Sequence, residues 1–278
     1  MKKYHHGLLI ILSFIIILGI VSIIVDFFTK EKQLDVLSNL NNLTSNVYDA
    51  QELEATHHEE TFSADSLLLE TNGIVYLTSS DSVLEPTISY FEFGNYYDLE
   101  VSDNTIILIR KAGYLEHMEQ FPIVITLPLD YPSFFMTVKM EYGSLNIENL
   151  KIHQSDIQID SGSLNITDST LIDSQLTIDT GNLTINNSRL SNVESSVDAG
   201  NVKINGILHG AIKSEVNVGN IIVETPYFTE MIYNLSVDVG KIYVEDVNQH
   251  RSILTNDIGN PDTQLDLSVD LGNIELGQ

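Results

Sequence analysis

From about residue 138 the chain alternates apolar and polar positions with a period of two, interrupted at regular intervals by glycine. Leu176 and Ile178 share one strand face, as do Leu183 and Ile185, yet Ile178 and Leu183 are five positions apart, so the phase slips between the pairs. A corner over Asp179-Thr180-Gly181-Asn182 returns both pairs to one side, and glycine supplies the backbone freedom for it. Gly143, Gly162, Gly181, Gly200 and Gly219 follow one another at intervals of 19 residues; Gly240 comes 21 later and Gly272 a further 32. A looser third apolar position recurs as Leu150 or Ile152, Leu171 or Ile172, Leu190 or Val193, Leu208 and Phe228.

Self-similarity at a fixed period means units that bury their apolar faces only by stacking. The pattern predicts an all-β, parallel, β-helix-like solenoid of about 19-residue coils over residues 143–278. Pro261 cannot donate a ladder hydrogen bond at an inward position, so Asn256 to Thr263 reads as an excursion between the sixth and seventh corners. Ser195 reads as an accessible position suited to chemical labelling. Residues 66–142 carry short β-type runs such as Ile74-Val75-Tyr76-Leu77 and Ile106-Ile107-Leu108-Ile109, separated by turns such as Asn72-Gly73, and read as an N-terminal β cap.

Upstream the texture differs. After a stub of residues 1–7, residues 8–28 are almost wholly apolar; 21 residues at about 1.5 Å each give roughly 31 Å, matching a hydrocarbon core of about 30 Å. No small-residue cleavage pattern follows Leu18-Gly19, which favours an uncleaved transmembrane helix. With Lys2 and Lys3 leading, the expectation is a single-pass cell-membrane protein, N-terminus cytoplasmic and C-terminal domain extracellular. Residues 29–65 read as a juxtamembrane stalk or linker.

Charge narrows the partners. Setting aside the four cations and two acids of residues 1–32 leaves 9 Lys+Arg against 37 Asp+Glu, a net of −28. A nucleic-acid partner needs clustered cations and is excluded on this count; polyanionic polymers are repelled as well. With no cysteine there is no disulfide framework, thiol nucleophile or iron–sulfur cluster.

The serial units Ile178-Asp179-Thr180-Gly181-Asn182-Leu183, Val197-Asp198-Ala199-Gly200-Asn201-Val202 and their counterparts follow Phe121-Pro122-Ile123-Val124-Ile125-Thr126-Leu127-Pro128. Over about residues 60–278 this resembles the bacterial putative adhesin family of unknown function built from β-strand repeats. The resemblance implies an envelope-associated β-solenoid, with adhesion or envelope-stress sensing proposed for relatives, and it carries over no catalytic residue.

Candidate chemistry is sparse. Glu141, Asp160, Asp179, Asp198, Asp238 and Asp270 each stand two before a corner glycine, with Asn217 in the same column. Oxygen ligands repeated on every coil suit calcium, so Asp160, Asp179, Asp198, Asp238 and Asp270 form a candidate metal row; the alternative is turn chemistry, in which Asp and Asn bond nearby backbone amides. His57-His58-Glu59-Glu60 has ligand-type residues, but adjacent side chains of an extended chain diverge, which fits a solvated linker. Tyr90, Phe91, Phe93, Tyr96 and Tyr97 fit a ligand platform or the filling of a small β core. No Gly-x-Ser-x-Gly elbow occurs. The expected function is a non-catalytic, adhesin-like binding or structural module with an envelope protein or glycan as ligand and no cofactor apart from the calcium alternative. The rival readings are an envelope-stress sensor and a carbohydrate-active β-helix enzyme.

Overall fold

The 19-residue spacing becomes the register of a parallel stack. In the computed structural model, Leu176 lies opposite Ile157, Ile178 opposite Ile159, Gly181 opposite Gly162 and Leu183 opposite Leu164. The structure describes residues 56–63, 65–92, 97–102, 105–110, 122–132, 134–245, 253–256 and 260–278. The apolar run 8–28 and most of the 29–65 stalk lie outside these residues. Among the described residues no helix is long and apolar enough to cross a membrane.

Thirteen strands follow in chain order: β1 (Thr56–Thr61), β2 (Ser66–Glu70), β3 (Gly73–Ser80), β4 (Thr87–Glu92), β5 (Tyr97–Ser102), β6 (Thr105–Arg110), β7 (Ile123–Pro128), β8 (Phe134–Glu148), β9 (Lys151–Thr167), β10 (Thr170–Glu224), β11 (Met231–Val244), β12 (Ile253–Asn256) and β13 (Asn260–Gly277). They form one open sheet, and β10 winds through several coils without a break. A 3₁₀ turn, Phe228–Glu230, precedes β11.

The coils at Gly143, Gly162 and Gly181 each have three corners in which φ is positive. Gly181 takes φ 145°, where a side chain is rarely accommodated, and the two further corners of its coil are Asn187 at φ 47° and Asn192 at φ 54°. Asn149 and Asp168 precede Asn187 in one column, and Gln154 and Asp173 precede Asn192 in the other. Asn and Asp tolerate the left-handed region because their short polar side chains bond locally. Between corners, Leu176, Ile178, Leu183, Ile185 and Leu190 are no more than 1% exposed, and each such burial contributes about 1.5–3 kcal/mol. On the third side the inward column is Ile152, Leu171 and Leu190, while Ile172 is only half-buried.

Small polar residues also point inward. Ser195 is 3% exposed and donates to Ser214 Oγ at 2.8 Å, which corrects its reading as an accessible position: a serine in an inward column keeps its hydroxyl bonded to its neighbour on the next coil. Ser188 Oγ donates to Asn186 O at 2.7 Å and accepts from Ser169 N at 3.1 Å, supplying backbone partners that the corner at Asn187 removes from the ladder.

At both ends, stack order departs from chain order. β13 lies between the last coil of β10 and β11, so Gly219 faces Gly272 and Gly272 faces Gly240. The seventh corner therefore occupies the level beside the fifth, and the sixth lies outside it. Asparagine chemistry accounts for the order. Asn273 N and Nδ2 both donate to Asn220 Oδ1 at 3.0 Å, and Asn273 Oδ1 in turn accepts from Lys241 N at 3.1 Å. Lys241 has no side-chain acceptor and fits only as the last rung. β12 then runs antiparallel along β11, with Tyr233 opposite Asn256.

At the other end, β2 and β3 build one more coil around Gly73, which faces Gly143. β6 and β7 pair in parallel on its outer side, although they follow it in sequence. Antiparallel strands finish this end: β4 on β7, β1 on β4 and β5 on β6. The described strands between residues 66 and 142 thus continue the same sheet and core as the coils that follow. Residues 56–61, expected as linker, form β1, because pairing with β4 satisfies their backbone while their side chains stay mostly exposed.

Candidate functional site

The glycine corner carries the acid column. Sheet register sets Glu141, Asp160, Asp179 and Asp198 on consecutive levels, then Asn217, Asp270 and Asp238. An amide closes the four-acid run at each end: Asn217 Nδ2 donates to Asp198 Oδ1 at 3.0 Å, and Asn72 Nδ2 donates to Glu141 Oε2 at 3.3 Å while its Oδ1 accepts from Glu141 N at 2.8 Å. The carboxylates form a line, one per level. Among the described residues no group of three or more His, Asp or Glu side chains converges in a geometry that could hold a metal ion.

The histidine pair diverges as extended backbone requires. His57 Nε2 lies 2.8 Å from Ser89 Oγ with its ring 4.9 Å from that of Phe91, whereas His58 stacks on Tyr90 at 5.1 Å and 12°. Tyr90 is 5% exposed and fills the core, in line with the core-filling reading; the side chains of Phe93, Tyr96 and Tyr97 lie outside the described residues. His117 and His250 do too, and His209 is exposed.

A different feature emerges at the third corner. The left-handed residues Gln154, Asp173 and Asn192 form one wall of a groove of about 680 Å³ that runs across the coils. Thr137, Asp156, Gln175, Glu194, Lys213 and Asp266 form the opposite wall, and Phe135 stands at one end. Phe135 meets His153 edge-to-face at 6.0 Å, and His153 Nε2 lies 4.0 Å from Asp173 Oδ2. Lys213 Nζ is held between Glu194 Oε1 at 2.9 Å and Glu215 Oε1 at 3.0 Å; the bond to Glu194, then that to Glu215, raises its pKa above the ordinary lysine range. Sequence reasoning passed over this groove. The available signal was the recurrence of Gln154, Asp173 and Asn192 at the 19-residue interval.

The chain is similar to a crystal structure of a putative adhesin from Bacteroides fragilis NCTC 9343, at 19% identity over 81% of this chain and 97% of that one, with a TM-score of 0.47. A putative cell adhesion protein from Clostridium sporogenes ATCC 15579 is similar at 13% identity over 81% of this chain and 99% of that one, with a TM-score of 0.36. No curated protein matches the chain. Residues 117–277, which carry the coils cornered by Gly143 through Gly272, match Toastrack DUF4097, and the chain belongs to that family.

Proposed function

We propose that this protein is a membrane-anchored component of a bacterial cell envelope whose acidic, solenoid-like domain acts as a non-catalytic, adhesin-like binding module. The observation that carries the reading is the stack itself. Coils locked in a 19-residue register hold outward side chains in straight columns about 4.8 Å apart, a preorganised and extended surface of the type that repeat proteins use for binding. Residues 8–28 supply the anchor, and the net charge of −28 on residues 33–278 keeps the domain soluble and away from anionic lipid.

The test uses the full chain in intact cells. Ala199, exposed beside a corner glycine, is changed to cysteine in a protein that has no other. A membrane-impermeant maleimide is expected to label Ala199→Cys without lysis, and the purified chain is expected to be retained on isolated envelopes. Protection until lysis would reverse the topology; absence of retention would remove the binding reading.

A further inference from the structure

The groove at the third corner gathers several polar groups left uncommitted along one channel. One wall descends the stack from Thr137 through Asp156, Gln175, Glu194 and Lys213 to Asp266, six levels or roughly 24 Å at about 4.8 Å per level. The amides of Gln154 and Gln175 and the hydroxyl of Thr137 make no side-chain hydrogen bond among the described residues. Ser155, at the groove, is 6% exposed, and its Oγ is buried without a partner. In the glycine-corner and neighbouring columns amides are engaged with one another or with a carboxylate: Asn165 with Asn146, Asn201 with Asn182, Asn217 with Asp198.

The charged groups of the groove already have partners. Asp156 accepts from Gln158 at 3.3 Å, Asp173 from Asn192 at 2.9 Å, Glu194 from Lys213 at 2.9 Å and Asp266 from Gln264 at 2.8 Å. Four carboxylates against one ammonium repel a polyanion, while the groups still lacking a partner are all neutral. At the groove's end Phe135 is 48% exposed and meets His153 edge-to-face, which leaves about half of its aromatic surface open.

Uncommitted amides and hydroxyls, fixed acceptors and an exposed ring, set along a straight open channel, match the chemistry of a polyhydroxylated chain with apolar C–H faces. We propose that the groove binds an uncharged linear glycan lying along the stack axis, with Phe135 against a sugar face and Gln154 and Gln175 bonded to ring hydroxyls. This inference rests on the binding-module reading and gives it a ligand class.

The purified full chain is titrated with cellohexaose, chitohexaose and mannohexaose, with hexalysine as a cationic control, and its retention on isolated envelopes is measured separately. The expected result is binding of at least one hexasaccharide, insensitive to added sodium chloride. Phe135→Ala and Gln175→Ala should each weaken it at least about tenfold while the parental melting temperature is kept, and Tyr243→Ala, outside the groove, should leave it unchanged. Gln175 is exposed, so its variant separates lost contact from lost fold. Failure of all three hexasaccharides to bind, or binding that survives both substitutions, overturns the proposal. So does salt-sensitive binding of hexalysine that the groove substitutions abolish. Envelope retention unaffected by Phe135→Ala and Gln175→Ala would overturn the groove while leaving the binding module standing.

Discussion

Asn201 directs two donors at a single atom of Asn182: its Nδ2 at 3.1 Å and its backbone N at 3.2 Å both reach Asn182 Oδ1. Asn220 does the same to Asn201, at 3.1 and 3.2 Å. The column is part-buried, so each amide provides a neighbour with an acceptor that water supplies only incompletely. Asn201→Ala would leave Asn220 without its acceptor and Asn182 without a side-chain donor, at a cost of about 1–3 kcal/mol. Asn201→Asp keeps the acceptor but loses the Nδ2 donor and is expected to destabilise as well. Urea unfolding of both variants measures this, and a pair indistinguishable from the parent would show the ladder to be incidental.

Gly181 is constrained twice over. Its φ of 145° disfavours a side chain, and a Cβ built there would lie 1.6 Å from the Gly162 carbonyl oxygen. No rotamer relieves a clash between backbones, so Gly181→Ala is expected to cost more than about 3 kcal/mol or to prevent folding. Ile178→Asp, placing a carboxylate where exposure is 1%, is expected to be comparably severe. Thermal melts near the parental value for either variant would refute the corner and inward assignments.

Asp179 sits mid-run between Asp160 and Asp198, and like charges directly opposite on neighbouring strands are destabilising. Asp179→Asn would install the donor that Asn217 already offers Asp198. The expectation is a gain of about 0.2–1 kcal/mol that shrinks as sodium chloride is added. Calcium at matched ionic strength should raise the melting temperature of the parent no more than sodium does. A calcium-specific rise lost in Asp179→Asn would instead make the column a metal row.

Tyr233 and Tyr76 both have phenol pKa values raised above 10.0 by burial. The folded state therefore holds these protons more tightly than the unfolded chain. Their contribution is fully present below about pH 10 and is lost as pH rises through the folded-state values. Tyr233→Phe removes one such group and is expected to move alkaline unfolding to higher pH, with little change at pH 7. An unmoved alkaline midpoint in a pH-jump fluorescence titration would argue that the phenol stays solvated.

The glycine corner and its inward flanks were legible because a phase slip between Ile178 and Leu183 admits few geometries, and because the slip recurs. The other two corners were harder to read. Asn187 and Asn192 enter the left-handed region without a glycine, and polar residues at those points look like ordinary surface. Ser195 misled for a related reason, since alternation identifies an inward column only where its members are apolar. Gly73 faces Gly143 across an interval of 70 residues, outside any repeat, so its coil read as part of a cap. The order of the last two coils did leave a trace: a lysine at 241, in a column otherwise of Asn and Ser, marks a rung with nothing beyond it to bond.

The position of β13 between β10 and β11 also imposes an order in time. A chain emerging N-terminus first can add the coils at Gly162, Gly181, Gly200 and Gly219 one upon the next, each template ready before its successor arrives. That progression stops at β11, whose parallel partner is β13, a strand still to be made. Until Gly272 reaches its level, the edge of the last β10 coil and the edge of β11 that receives β13 remain open to any other strand. Completion of this end of the stack thus waits for β13, which is made after both of its partners, and the interval before it arrives leaves them exposed to mispairing.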